Sequence, residues 1–525
     1  MKNKTFDALK YFLVTYIFFT VVFPLLSLAT TVRAEDFRNV IMSFSFMPML
    51  KNSLITTILS SVISVILAFA LSYALNRSNI KHKSLFVVLF TLPMLIPSIS
   101  HGMGLVLLFG DNGLITNLLG INIGLYGYKG IIMGSVLYSF PVAFLMFNDS
   151  LQYEDYTIYE AAKVLGVPGI NQFMVITLPA MRRTIVSAAL AVFTMVFTDY
   201  GVPLMTGGTV MTLPVYMYRE VIGMMNFSGG AVVGAVLIVP ALVAFLMDLK
   251  KNNGSIVSST ISKPYQIEEN KKRDIIVYVL FGIVLFLLCL PVIAFICLSF
   301  VEKYPVDMSI SFKSVKKLFE NKIVTYFINS MAVALLTALV GTILSYFSAY
   351  VSRRGDKTKF SKVVHILSML PLAIPGVVLG LSFLMTFRKM PFYGTIFILV
   401  MVNIVHFFSS PYLLAYNSLS KFNSNLEDVA QTLGISKMHM LFSVYIPSTM
   451  STIVEMYSYF FVNSMITISA VSFLINFRTM PLALLIPQLE SQSFIEGTAL
   501  VSLLILIINI AEKVISYVVK KNLSK

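Results

Sequence analysis

The stretch that decides how this chain is organised reads EAAKVLGVPGINQFMVITLP, at residues 160–179. It occurs again, in altered form, as DVAQTLGISKMHMLFSVYIP at residues 428–447, and the spacing between matched anchor positions is the same throughout. The anchors are an acidic residue, small residues, a glycine and a final proline: Glu160, Ala161, Ala162, Gly166 and Pro179 in the first copy, and Asp428, Ala430, Gly434 and Pro447 in the second. Each copy predicts a short helix, a turn at the glycine, which accepts a positive φ, and a second short helix. The alternative is a plain helical hairpin, but a pattern repeated in register favours a duplicated functional loop.

The duplication extends through both halves of the chain. Its other matched segments are Asn52-Ser53 with Asn329-Ser330, Tyr73 and Arg77 with Tyr350 and Arg354, and Pro93 and Pro97 with Pro371 and Pro375. We therefore predict two tandem repeats, at 1–247 and 275–525, joined by a polar linker at 248–274.

The composition predicts a membrane protein. Hydrophobic residues make up 57% of the 525 residues and charged residues only 12%, whereas a soluble chain has about a quarter charged residues. Twelve apolar runs are close to the length of about 20 residues that a helix needs to span a bilayer, and six of them lie in each repeat. They lie near 11–29, 53–74, 85–108, 127–147, 184–206, 228–247, 275–300, 327–350, 363–386, 393–415, 451–475 and 497–517. The fold class is therefore an all-α polytopic membrane protein, with polar residues interrupting the fifth and eleventh runs.

The positive charge indicates the orientation of these helices. When the twelve runs are threaded through a membrane, 26 of the 39 Lys and Arg residues fall on one side, which identifies that side as the cytoplasm. Both chain termini and both copies of the repeated loop then lie in the cytoplasm. The net charge of +15 is thus a topology signal that also suits anionic lipid, and it does not indicate nucleic-acid binding. An alternative is that residues 1–34 form a cleaved signal peptide, which would leave eleven helices.

Polar residues and prolines inside the apolar runs are candidates for a solute path. Paired prolines kink membrane helices, and their recurrence in both halves predicts gate-forming helices. The candidate path residues are Pro93, Pro97, Ser98, His101, Asp199, Tyr200, Pro371, Pro375, His406, Asn463 and Thr467. A carboxylate inside a membrane is costly, so Asp199 is either functional or solvated at the outer end of its helix. The two histidines do not by themselves make a metal site, and no metal is predicted.

The sequence contains no recognisable catalytic motif. It has no Gly-x4-Gly-Lys-[Ser/Thr] phosphate loop and no grouping of nucleophile, base and orienting residue, so we predict that it is not an enzyme. Cys289 and Cys297 lie on one predicted helix about 12 Å apart, too far for a disulfide.

The repeated pattern Glu-Ala-Ala-x3-Gly-x9-Ile-x-Leu-Pro resembles the coupling loop of binding-protein-dependent ABC importer permeases with the MetI-like fold. The resemblance implies that each loop docks into a cytoplasmic ATPase subunit, with Glu160 meeting a basic residue there. Asp428 and Val429 depart from the pattern and imply a weaker or asymmetric second contact. The implied partners are two ATPase copies, which hold ATP-Mg, and an extracytoplasmic solute-binding protein. The chain itself is expected to lie in a bacterial cytoplasmic membrane. The chain itself is expected to bind no cofactor.

Two further segments bear on the solute. Residues 403–413 and 461–471 resemble permeases assigned to 2-aminoethylphosphonate import, and residues 198–203 are similar to both those and ferric-iron permeases. Fused two-repeat permeases are usual for ferric iron, thiamine and some phosphonates. We predict phosphonate uptake, with import of ferric iron or another small solute as the alternative. A secondary transporter would share the helix count but not the repeated loop.

Overall fold

The computed structural model describes residues 4–252, 263, 265–355, 359–423 and 425–523. Within these ranges the regular secondary structure is helical except for one small hairpin, which confirms the predicted all-α class. The helices up to the predicted linker are α1 Lys4–Ile17, α2 Phe23–Thr31, α3 Ala34–Ile41, α4 Phe46–Arg77, α5 Lys83–Thr91, α6 Ser98–Phe109, α7 Leu114–Leu119, α8 Tyr128–Gln152, α9 Thr157–Val164, α10 Gly169–Gln172, α11 Leu178–Phe197, α12 Gly201–Thr206, α13 Leu213–Gly223 and α14 Phe227–Asn252.

The later elements follow a similar order. They are α15 Lys271–Ser299, β1 Val301–Lys303, β2 Asp307–Ile310, α16 Lys313–Glu320, α17 Ile323–Arg354, α18 Lys359–Met369, α19 Gly376–Phe387, α20 Ile396–Phe407, α21 Ser409–Ser420, α22 Asn425–Thr432, α23 Lys437–Met440, α24 Ile446–Ser448, α25 Met450–Ile466, α26 Leu482–Ser491 and α27 Ile495–Leu523. The predicted linker is shorter than expected, because α14 and α15 extend into it from both sides; residues 253–262 and 264 lie outside the described ranges. The antiparallel hairpin β1–β2, with Val301 opposite Ile310, was not predicted.

The number of membrane-spanning helices is slightly below the predicted twelve. In the described ranges, nine helices are long and apolar enough to span a bilayer, and two bent helix pairs raise the number to eleven. The run predicted at 85–108 is divided before α6, which leaves only the short apolar helix Lys83–Leu95 on one side. The run predicted at 451–475 becomes α25, which has 17 residues and falls just short of the length of about 20 that spanning needs.

The repeated prolines interrupt helices in both halves, as predicted. Pro93 and Pro371 each lie in a short 3-10 turn, at Leu92–Leu95 and Leu370–Ala373. The second proline of each pair immediately precedes α6 or α19, and in the second half the chain bends by 108° there. Proline cannot donate a backbone hydrogen bond, so two in succession end one helix and start another.

The compact units of the molecule do not coincide with the two sequence repeats. One unit contains residues 44–216 and 243–298, and the other contains residues 1–43, 217–242 and 299–525. In the first unit α15 packs against the preceding repeat, with the Phe281 ring 5.0 Å from the rings of both Phe86 and Phe90. In the second unit the N-terminal helices pack against the following repeat, with the Phe19 ring 5.5 Å from Phe387.

Close packing of small and aromatic residues holds the helices of each unit together. In the first unit, Phe140, Phe144 and Phe147 of α8 are fully buried. Ser64 of α4 and Ser139 of α8 share a hydrogen bond of 2.9 Å. Such contacts replace the hydrophobic effect as the driving force for helix association in lipid.

Candidate coupling loops and intramembrane polar site

Both copies of the repeated loop have the predicted local geometry. In the first copy, α9 is followed by Gly166 with φ of 70° and then by α10. In the second copy, α22 is followed by Gly434 with the same φ and then by α23. We call these segments, residues 157–179 and 425–447, the first and second coupling loops. Glycine is required at each turn because other residues rarely adopt that backbone conformation.

A π-helical turn follows the second short helix of each coupling loop. These turns lie at Phe173–Thr177 and Leu441–Tyr445, which are equivalent positions in the two copies. Pro179 and Pro447 then occupy the first turn of the next helices, where a proline costs no hydrogen bond. The apolar side chains around the first of these turns are only partly buried: Phe173 packs edge-on against Phe69 and Tyr73, whereas Ile170 is 74% exposed.

Each coupling loop presents exposed apolar surface beside its acidic residue. Ala162 and Ala430 are buried and hold the short helices in place. In contrast, Leu165 and Leu433, which are repeat counterparts, are 80% and 69% exposed. Large apolar side chains grouped on an otherwise polar surface are typical of a protein-interaction site.

The first coupling loop is covered by a second segment that the sequence did not reveal. We call this segment, Lys263 with residues 265–268, the strap. The Lys263 ammonium lies 2.5 Å from the Glu160 carboxylate, and the Lys263 carbonyl accepts a 2.9 Å hydrogen bond from the Tyr156 backbone N–H. At the other end of the strap, Lys163 of the loop lies 2.5 Å from Glu268. In the sequence, Lys263 is simply one of the 26 basic residues assigned to the cytoplasmic side.

The strap and the first coupling loop are joined by surface ion pairs. The hydrogen bond from Lys163 lowers the pKa of Glu268, and the same bond raises the pKa of Lys163. Hydrogen bonds from the backbone and hydroxyl of Thr157, at the start of α9, lower the pKa of Asp155. These groups therefore remain charged at neutral pH, although solvent screening keeps each exposed pair weak.

The second coupling loop has no such cover among the described residues. Asp428 is exposed, and within those ranges no hydrogen bond or ion pair reaches its carboxylate. The two loops thus share a backbone geometry but differ in how accessible their acidic side chains are.

In the first repeat, the candidate path residues meet where α6 begins and α11 ends. The partly buried Asp199 carboxylate accepts hydrogen bonds from the Ser98 hydroxyl and from the backbone N–H groups of Gly201, at 3.2 Å, and Val202, at 3.0 Å. The Asp199 carboxylate therefore pairs the first two N–H groups of α12 and is not simply solvated at a helix end. His101 is buried, with its Nε2 atom 3.0 Å from the Pro93 carbonyl oxygen.

The equivalent place in the second repeat has different side chains. Gly376, directly after Pro375, packs tightly against the His406 ring and the Ser469 hydroxyl. A Cβ atom added to Gly376 would lie 2.9 Å from the His406 ring and closer still to the Ser469 hydroxyl, so only glycine fits there unless these side chains move. Asn463 donates a 2.8 Å hydrogen bond to the Tyr459 carbonyl. Of the remaining predicted residues, Tyr200 and Thr467 are both buried.

A narrow cleft adjoins Asp199 within the first compact unit. Its polar lining consists of Ser53, Thr56, Thr57, Ser135, Asp199 and Thr212. The Thr212 hydroxyl is buried without a hydrogen-bond partner in the described residues. The cleft is narrow, and its lining leaves no room for a water molecule. Carboxylate and hydroxyl oxygens together would favour a cationic or hydrogen-bonding ligand.

These features define a class of protein: a polytopic helical membrane protein with a duplicated unit and a duplicated surface loop. Residues 62–249 and 341–521 match the family described as binding-protein-dependent transport system inner membrane component, and the chain belongs to that family. Each of the two matched ranges contains one coupling loop, so the predicted tandem MetI-like organisation is confirmed.

Individual relatives are more distant. The chain is 24% identical to a ferric transport system permease protein of Actinobacillus pleuropneumoniae, over 77% of this chain and 61% of the relative. It is 23% identical to a putative ferric transport system permease protein of Haemophilus influenzae, over 77% of this chain and 66% of the relative. A thiamine transport system permease protein of Haemophilus influenzae is 22% identical over 67% of this chain and 66% of the relative. The chain thus matches three-fifths to two-thirds of the length of these relatives.

Proposed function

We propose that the chain is the membrane-spanning permease of an importer driven by a separate ATPase. The observation that carries the proposal is the pair of coupling loops, alike in backbone, each with an exposed leucine five residues after its acidic residue. Two docking points suit two copies of a cytoplasmic ATPase subunit, which would hold ATP-Mg while this chain performs no hydrolysis. The family description adds an extracytoplasmic solute-binding protein as the third partner. In this proposal the loops and both termini face the cytoplasm of a bacterial cell, as the positive charge predicts.

Transport would follow from movement of the helices that carry the loops. Closure of the ATPase dimer on ATP pulls on both loops, and the bundle responds by opening its path to the other side of the membrane. The breaks at Pro97 and Pro375 supply places where such a change can be absorbed, because the helices are already interrupted there.

For the solute, we place ferric iron first. Two relatives that each match 77% of this chain are named as ferric transport permeases, and Asp199 and its hydroxyl neighbours offer the oxygen ligands that hard cations prefer. Import of 2-aminoethylphosphonate, which the sequence alone placed first, becomes the second candidate. It rests on the resemblance of residues 403–413 and 461–471 and on Asn403, whose buried amide lacks a hydrogen-bond partner in the described part of the chain.

The coupling proposal is tested by reversing charge on both loops. The double variant Glu160→Lys, Asp428→Lys should insert normally into the membrane but lose ATP-driven uptake and copurification of the ATPase. Glu269→Lys, which changes an exposed linker carboxylate with no described contact, serves as the control and should retain both. Normal uptake by the inserted double variant would refute the proposal.

The solute and energy source are tested in cells that express the chain with its ATPase and binding protein. Uptake of radioactive iron and of labelled 2-aminoethylphosphonate is measured side by side. Iron uptake alone supports the first candidate, and phosphonate uptake alone replaces it with the second. Sensitivity to vanadate is expected, whereas inhibition only by an uncoupler would indicate a secondary transporter.

A further inference from the structure

The two longest helices of the repeats end in a buried arginine. Arg77 is the last residue of α4 and Arg354 the last residue of α17, and each side chain is only 6% exposed. They occupy equivalent positions in the two repeats. Burying a guanidinium group costs free energy unless the group is paired and hydrogen-bonded. The burial of these two arginines therefore depends on the groups that surround them.

In the first repeat, Arg77 joins the end of α4 to the first coupling loop. Its guanidinium is paired with Glu154, which follows α8, and lies 5.2 Å from the centre of the Tyr159 ring in α9. The Tyr159 hydroxyl donates a 2.7 Å hydrogen bond to Glu154 and lies 2.7 Å from the Thr177 hydroxyl. An arginine, a carboxylate and a phenol therefore form one connected cluster.

In the second repeat, Arg354 joins the end of α17 to the second coupling loop. Its Nη1 atom lies 3.3 Å from the Glu427 carboxylate in α22, and its guanidinium lies 5.3 Å from the centre of the Tyr445 ring. The Tyr445 hydroxyl donates a 2.5 Å hydrogen bond to Glu427, and Phe422 packs edge-on against Tyr445 at 5.2 Å. The same three chemical groups form the same kind of cluster.

The two clusters draw these groups from different positions of the repeat. In the register that aligns the two coupling loops, Glu154 corresponds to Phe422, Tyr159 to Glu427, and Thr177 to Tyr445. The carboxylate and the phenol have therefore both changed position, while the arginine has stayed. Simple packing does not demand this chemistry, since apolar side chains of similar volume stabilise a protein as well as a buried ion pair does. What the two repeats share is the connected cluster itself.

We propose that Arg77 and Arg354 are positioning residues that lock each coupling loop onto the long helix before it, so that a displacement of the loop moves the helix. The inference rests on the proposed function and extends it, because it names the joints through which ATPase movement reaches α4 and α17. Charge-assisted hydrogen bonds and packing against an aromatic ring fix the orientation of the loop relative to the helix, because both interactions depend on direction. An apolar contact does not fix orientation in this way.

The first test removes the arginines. Arg77→Met, Arg354→Met and their combination are reconstituted with the ATPase subunits and the binding protein, and ATP hydrolysis, ATPase binding and solute transport are measured together. In the double variant, hydrolysis and binding should persist while transport per ATP falls by about tenfold, within the usual span of coupling free energies. Arg388→Met, an exposed arginine at the end of α19, is the control and should transport normally.

The second test rebuilds the joint, which separates coupling from mere stability. The triple variant Glu154→Phe, Tyr159→Glu, Thr177→Tyr gives the first repeat the cluster of the second around an unchanged Arg77. It should restore transport per ATP to near the wild-type value, whereas Tyr159→Glu alone, which adds a carboxylate and removes the phenol, should uncouple.

The outcomes distinguish the inference from the proposed function. A folded triple variant that is as uncoupled as Tyr159→Glu would overturn the inference, and so would a normal transport ratio in the double arginine variant. If the wild-type chain itself shows no ATP-driven transport with its partners, the proposed function fails, and the inference fails with it.

Discussion

At the scale of single residues, the main difference between the repeats is the partner of the acidic side chain on each coupling loop. Glu160 is already paired with Lys263 of the strap, whereas the Asp428 carboxylate has no partner in the described ranges. In the proposed importer, a basic residue of the ATPase subunit would compete with Lys263 for Glu160. The two proposed docking points would then be unequal, and the less typical sequence, at Asp428, carries the more accessible carboxylate.

We predict that Lys263→Ala strengthens binding of the ATPase subunit to the first coupling loop. Removing the ammonium frees Glu160, and the expected gain in affinity is about twofold to fivefold, because an exposed ion pair contributes little. Binding is measured with the permease in nanodiscs, in a background where Asp428→Lys blocks the second loop. Lys272→Ala, another exposed linker lysine, should have no effect. Weaker binding by Lys263→Ala would mean that the strap assists docking.

At the scale of elements, the repeated Asn-Ser pair connects each long helix to a later helix of its repeat. The Ser53 hydroxyl accepts a 2.8 Å hydrogen bond from the backbone N–H of Leu213, the first residue of α13. Asn52 donates to the Met211 carbonyl at 3.0 Å. In the second repeat Ser330 and Asn329 make the same bonds to Leu482 and Met480. These serines satisfy backbone donors that a helix start leaves unpaired.

We predict that Ser53→Ala destabilises the protein. The Leu213 N–H would remain buried without a partner, which costs about 1–3 kcal/mol. Thermal unfolding in detergent measures the effect, and Ser330→Ala should lower the melting temperature similarly. Ser84→Ala, at an exposed position with no described hydrogen bond, is the matched control. Equal melting temperatures for Ser53→Ala and Ser84→Ala would contradict the prediction.

At the scale of the whole molecule, each compact unit is assembled from both sequence repeats. The unit that contains the second repeat also contains residues 1–43 and 217–242. A Cβ placed on Gly234 would lie 3.5 Å from the Val378 side chain, so α14 runs close against α19 in this unit. The second repeat by itself therefore lacks part of its own packing surface.

We predict that residues 253–525 are unstable when they are expressed alone. Coexpression with residues 1–252 should restore a folded, transport-competent protein, because the two fragments together supply every helix of both units. Membrane yield and resistance to protease are the measurements. If the second fragment alone accumulates as stably as the pair, the helices contributed by the first repeat are dispensable for folding.

The sequence by itself determined the features that recur locally. Hydropathy predicted the membrane helices, because a bilayer demands a continuous apolar run. The constant spacing between the two copies located both coupling loops, and Gly166 and Gly434 predicted their turns, because a positive φ favours one residue type. The paired prolines likewise predicted the breaks before α6 and α19.

Only the tertiary structure decided which distant residues meet. From the sequence, Lys263 is only one of many cytoplasmic positive charges, because a contact between Lys263 and Glu160, 103 residues apart, leaves no trace in any periodic pattern. The clusters at Arg77 and Arg354 were hidden because their carboxylate and their phenol lie at different positions in the two repeats. The assignment of α15 and the N-terminal helices to units of the opposite repeat was equally invisible, since an apolar helix is compatible with many neighbours and only packing selects one.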